Sequence, residues 1–167
     1  MQELILMLAS VWFIAGQGWA SVSDALRMRI PNALILYLLA GFVITVAVSQ
    51  PGWVDLVAHL AVGLALLGGG VVLFARGWMG GGDVKLLAVT GLWLGPAAMP
   101  ALLLLTALAG GVLTLAMIVA RALGAHRLAG GRIAALRDPM DRVPYGIAIA
   151  AAAIAVVILR PEALLMG

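Results

Sequence analysis

Long apolar runs, interrupted by proline, glycine and charged residues, set the pattern of this sequence. Six such stretches stand out, at residues 4–23, 32–49, 56–75, 84–94, 97–120 and 143–159. The second is entered through Pro31 and left at Gln50-Pro51-Gly52. The fourth is closed by Gly95-Pro96, and Pro100 falls in the first turn of the fifth. Pro144 opens the sixth, where a helix tolerates proline. A hydrocarbon core of about 30 Å takes about 20 helical residues to cross. Five stretches come near that length; the fourth, at about 16 Å, does not. The pattern predicts an all-α polytopic membrane protein with six transmembrane helices, the fourth of them short. Residues 1–167 are expected to form one membrane domain with no soluble domain.

Composition sharpens this reading. Hydrophobic residues make up 65% of the chain and charged residues 10%, with a mean hydropathy of +1.17. Soluble domains average about 45–50% apolar and about 25% charged. There is no cysteine, which excludes disulfides, cysteine-based zinc sites and a thiol nucleophile. The pI of 10.2 invites a nucleic-acid reading. The cations, however, lie between apolar runs, as topology signals do, so lipid and not nucleic acid is the expected partner. The first stretch lacks a basic n-region and a clear A-x-A site, so it is expected to be a span and not a cleavable signal.

Charge placement orients the bundle. Arg27 and Arg29 follow the first span, Arg76 and Lys85 bracket the third loop, and five arginines fill residues 121–142. Alternate loops thus hold nine of the ten cations, with Arg160 alone opposite. The positive-inside rule places both termini outside and these loops in the cytoplasm. Trp19, Trp53, Trp78 and Trp93 fall near span ends, as interfacial aromatics do. The long basic loop is expected to carry at most a short surface helix near residues 133–136.

The seven acidic residues then narrow the chemistry. Glu3, Asp55 and Glu162 fall outside, and Asp138 and Asp141 lie among arginines in the long loop. Asp24 and Asp83 remain, each where a cytoplasmic loop meets an apolar helix. A carboxylate beside hydrocarbon is costly and marks a functional position. Alone, Asp24 reads equally well as a boundary residue paired with Arg27 or Arg29. Asp83 reads alone as an N-cap. Capping does not call for the three glycines before it, which permit close backbone approach. The short fourth helix sets Asp83 below the inner surface, where irregular backbone must line a wet cavity or be buried in protein. Two carboxylates facing one water share a proton, because both cannot easily ionise. One then draws a proton from water as the other donates to a peptide carbonyl, with no metal or cofactor required. Helix dipoles alone would make Asp83 the base and Asp24 the acid. His59, in the third span, and His126, in the basic loop, read as structural or solvated. A transporter using the two acids as a proton relay is the competing class; both lie on one side and not at the midplane, which disfavours it.

Three segments carry a resemblance to a family. They are Asp24 followed by Arg29-Ile30-Pro31-Asn32, then Gly80-Gly81-Gly82-Asp83-Val84-Lys85, then Val143-Pro144-Tyr145-Gly146-Ile147-Ala148. In order and spacing they resemble the prepilin peptidases, GxGD aspartyl proteases of the type IV leader peptidase family, in the short form found with Flp/Tad pili. The resemblance implies a catalytic pair of Asp24 and Asp83, with Gly80 and Gly82 as the motif glycines. It implies cleavage of the basic leader of pilin-like precursors at the cytoplasmic face of a bacterial inner membrane. A related GxGD protease acting on another precursor is the nearest alternative, and a family member that assists pilus assembly without cutting is a further one. Gly81, Lys85, Arg29, Pro144, Tyr145 and Gly146 are expected to bind substrate or support the pair, or else to shape loops and helix starts. Longer relatives that also methylate carry a tetracysteine insert; this chain has none, so no methyltransferase activity is expected.

Overall fold

A computed structural model describes residues 2–123 and 143–164; the short surface helix expected near residues 133–136 lies outside them. The described residues are helical, without strands. α1 is Gln2–Arg27, α2 is Asn32–Ser49 and α3 is Trp53–Ala75. Helix resumes at Gly81 and runs to Ala122, but Gly95 inside it has φ 63° and ψ −174°. That one residue divides the run into α4 (81–94) and α5 (96–122). α6 is Tyr145–Leu159, followed by a short 3-10 turn, Pro161–Ala163.

Four helical runs, Gln2–Arg27, Asn32–Ser49, Trp53–Ala75 and Gly81–Ala120, are long and apolar enough to cross a membrane; Tyr145–Leu159 is shorter. Leu8, Val11, Val43, Leu64, Val112 and Leu115 are all exposed, on outward faces of α1, α2, α3 and α5. Apolar side chains turned outward on every outer helix are what a lipid solvent selects. The chain is a multi-pass membrane protein.

The interior belongs to α4 and α6. Residues 86–95 are buried without a gap, and α6 buries Ala148, Ile149, Ala150, Ala152, Ala153, Val156 and Val157. A helix apolar all round belongs in a core. α3 lies along the α4–α5 run, and α6 packs between that run and α1. α2 covers α1 and reaches α4. Small residues let backbones close up: a Cβ on Gly70 would meet Val84, and one on Gly63 would lie 3.1 Å from Leu92 Cβ.

Trp93 overturns one expectation. It is fully buried and not interfacial, with Phe13 at 5.4 Å and Phe42 at 5.9 Å between ring centroids. Its indole N–H donates to Leu38 O at 3.0 Å. Because α4 is enclosed, its far end lies inside protein. Trp19, Trp53 and Trp78 are exposed.

The break at Gly95-Pro96 has a specific solution. Pro96 has no N–H, so Leu92 O lacks its partner four residues on. His59 of α3 supplies one: its Nδ1 lies 2.9 Å from Leu92 O, and the side chain is 2% exposed. With a carbonyl as acceptor, Nδ1 carries the proton. Gly95, with φ 63°, leaves room for the ring, which an added Cβ would strike.

Candidate active site

At the opposite end of α4 the chain brings three segments together. α1 runs one turn beyond the expected span, so Asp24 sits on its last turn, on the buried stripe Phe13, Gln17, Ala20, Asp24. The N–H of Met28 closes the helix on Asp24 O at 2.8 Å, and Met28 adopts φ 51°. Ser23 Oγ donates to Arg29 O at 2.7 Å, folding the link back toward α2. α4 begins before Asp83: the N–H of Val84 donates to Gly80 O at 3.1 Å. Gly80 therefore holds the cap, and Asp83 is in the first turn, not at the N-cap. Its carboxylate reaches back toward the Gly80 amide, as the third residue of a capping box does. α6 brings its N-terminus to the same place.

Ile30 is the wedge that packs these parts. A Cβ on Gly82 would lie 3.1 Å from Ile30 Cβ, and one on Gly146 would lie 2.9 Å from Ile30 Cδ1. A Cβ on Gly146 would also lie 2.7 Å from Asp24 Oδ2, and one on Gly80 would lie 2.8 Å from Asp83 Oδ2. Glycine at 80, 82 and 146 is thus a matter of space beside the two acids and the wedge.

The carboxylates stand close enough to interact as charges, and the Gly146 amide faces both. Ile147 adds a second amide toward Asp24. Asp24 is 5% exposed, and its Oδ2 is buried without a hydrogen-bond partner. A buried carboxylate oxygen left so is expensive. Both acids line a cavity of about 330 Å³ with Met28, Phe74, Trp78, Gly80, Gly81, Pro144 and Tyr145. They also line an adjoining cavity of about 220 Å³ with Arg29, Ile30 and Gly82. Among the described residues, no group of three or more His, Asp or Glu is placed to hold a metal ion.

The expected site residues therefore gather, with one exception. Lys85 points away from the acids. Its Nζ donates to Asn32 Oδ1 at 3.0 Å, and it lines a separate apolar groove with Ile35, Leu39, Leu60 and Leu64. Ile30, at the site, went unassigned from sequence. Its place in the Arg29-Ile30-Pro31-Asn32 segment was the available signal. Phe74, Trp78 and Met28 were also missed, since nothing local ties an apolar side chain at a helix end to a cavity.

Fold and site define a multi-pass helical membrane protein with paired carboxylates on one recess. The chain belongs to the type IV leader peptidase family, which it matches over residues 7–115. The match takes in Asp24 and residues 80–85 and ends before Pro144-Tyr145-Gly146. The family is one of proteases. No curated protein and no solved structure matches the chain.

Proposed function

We propose that this protein is an aspartyl endopeptidase that removes the basic leader of type IV, Flp-like prepilins, with Asp24 and Asp83 as its acid–base pair. The observation that carries the reading is the shared recess. Two carboxylates 59 positions apart in sequence line one cavity, and an oxygen of one is buried without a partner. Paired carboxylates on one recess can share a proton and hold an attacking water between them.

In this reading the six helical segments cross the membrane with both termini outside, and the recess opens to the cytoplasm of a bacterial cell. The precursor's apolar helix lies in the bilayer against the bundle, and its leader hangs at the recess. The ionised acid takes a proton from water as it attacks the scissile carbonyl. The protonated acid donates to the carbonyl oxygen, and the leaving amine is protonated as the bond breaks. Asp83, in the first turn of α4, is the better base, and Asp24, in the last turn of α1, the better acid. Hydrolysis by this route needs no metal or cofactor, and no methyl transfer follows it.

Leader removal from an Flp-like precursor, followed in membranes, tests the proposal. The parent chain should shorten the precursor, and Asp24→Asn and Asp83→Asn should each leave it intact while inserting normally. Processing that survives either substitution would overturn the assignment.

A further inference from the structure

A second polar pair lies deeper between the helices that carry the acids. Gln17 Nε2 donates to Thr90 Oγ1 at 2.9 Å, and both residues are fully buried. Gln17 precedes Asp24 by seven residues, and Thr90 follows Asp83 by seven. Seven residues are two helical turns, about 10 Å. α1 and α4 run antiparallel here, so the pair lies directly beneath the acids on the same facing stripes. Phe13 against Trp93, at 5.4 Å, forms the next rung down.

The backbones of the two helices do not press together. α1 packs on α2 and α6, and α4 on α3 and α6. The distance between α1 and α4 is therefore spanned by side chains. The bond also leaves Gln17 Oε1 buried without a partner. For stability alone, an apolar pair of the same shape would serve as well or better, because a half-satisfied buried amide is costly.

We infer that Gln17 and Thr90 are positioning residues: their hydrogen bond fixes the register and spacing of α1 against α4, and so holds Asp24 at its working distance from Asp83. The role rests on the reaction proposed above; the spacing can be measured without it. A misplacement of about 1 Å can cost about a hundredfold in rate, so a pair two turns away has leverage.

The test uses the full chain in membranes or detergent with Gln17→Leu, Thr90→Val, both together, and Thr90→Ser. Each non-bonding single variant should lower kcat about tenfold with KM nearly unchanged. The double should be no worse than either single, and Thr90→Ser should stay near the parent. The double variant's thermal midpoint should hold or rise, whereas a merely structural bond would lower the midpoint and spare kcat. Spacing is read by placing Asp24→Cys and Asp83→Cys in this cysteine-free chain and offering bis-methanethiosulfonate cross-linkers of graded length, each end of which forms a disulfide with a cysteine and releases methanesulfinate. One length should dominate with the pair intact, and the preference should broaden when it is removed. If Gln17→Leu fails to insert, Thr90→Val carries the test. An unchanged length preference, or an unchanged kcat, overturns the inference. A changed preference in a protein whose parent form cleaves no precursor would overturn the proposed function and leave the spacing role standing.

Discussion

The two ends of α4 pose the same problem and solve it oppositely. At each, a glycine interrupts the helix and a buried titratable side chain reaches in from another helix. At the Gly95 end that side chain is His59, and it is consumed: its Nδ1–H answers the carbonyl that Pro96 leaves unbonded. At the Gly80 end it is Asp24, and Oδ2 remains unpartnered beside a cavity. Burial and an ionisable group are common to both ends, so neither marks function. Hydrogen-bond satisfaction separates them: the His59 donor is spent on Leu92 O, and Asp24 Oδ2 has no partner.

The largest effect that tests this contrast is loss of either acid. Asp24→Asn and Asp83→Asn should each reduce precursor processing by about a thousandfold or more, since general acid–base catalysis alone contributes about 10²–10⁴. Both proteins should still insert and keep their helical content by circular dichroism. Next comes Gly146→Ala. The new methyl would sit 2.7 Å from Asp24 Oδ2 and 2.9 Å from Ile30 Cδ1, so the carboxylate or the wedge must shift. A cut of about a hundredfold in kcat is expected from such a displacement, read as cleavage rate at saturating precursor. Parent-like rates would mean that the α6 N-terminus only covers the acids.

At the other end the expected effect falls on stability alone. His59→Leu strips the Leu92 carbonyl of its partner, a loss of about 1–3 kcal/mol. The thermal midpoint in detergent should drop while the processing rate of the folded protein holds. A lost rate with an unchanged midpoint would make His59 functional and dissolve the contrast between the ends.

These residues also mark how far the sequence could be read. Seven acids in a 65% hydrophobic chain made Asp24 and Asp83 conspicuous, and Gly95-Pro96 announced the end of the fourth helix. That reading depends on composition and local chemistry, which are written along the chain. The donor role of His59, the wedge of Ile30 and the burial of Trp93 depend on how helices are rotated against one another. In a sequence apolar on every face, periodicity does not fix that rotation. Gln17 and Thr90 share the difficulty: each is an unremarkable polar residue until the antiparallel register of α1 and α4 sets them face to face.

The smallest expected effect concerns Lys85, which sequence position alone places beside the acids. Two residues from Asp83, it reads from sequence either as tuning the pair or holding the loop, or as a topology-setting cation reaching the headgroups. Its side chain takes neither cavity that the acids line. It joins Asn32 at the start of α2, linking that helix to α4 across an exposed contact of 3.0 Å. Exposed polar links contribute about 0–1 kcal/mol. Lys85→Gln, which keeps a donor for Asn32, should therefore slow processing by less than about fivefold, the rate equivalent of that energy. Lys85→Glu tests the same point harder, since it reverses the charge two residues from Asp83. If charge at position 85 governs the pair, both substitutions should approach the loss expected for Gly146→Ala. If the contact with Asn32 is what matters, Asn32→Ala should match Lys85→Gln, and the two changes together should cost no more than one.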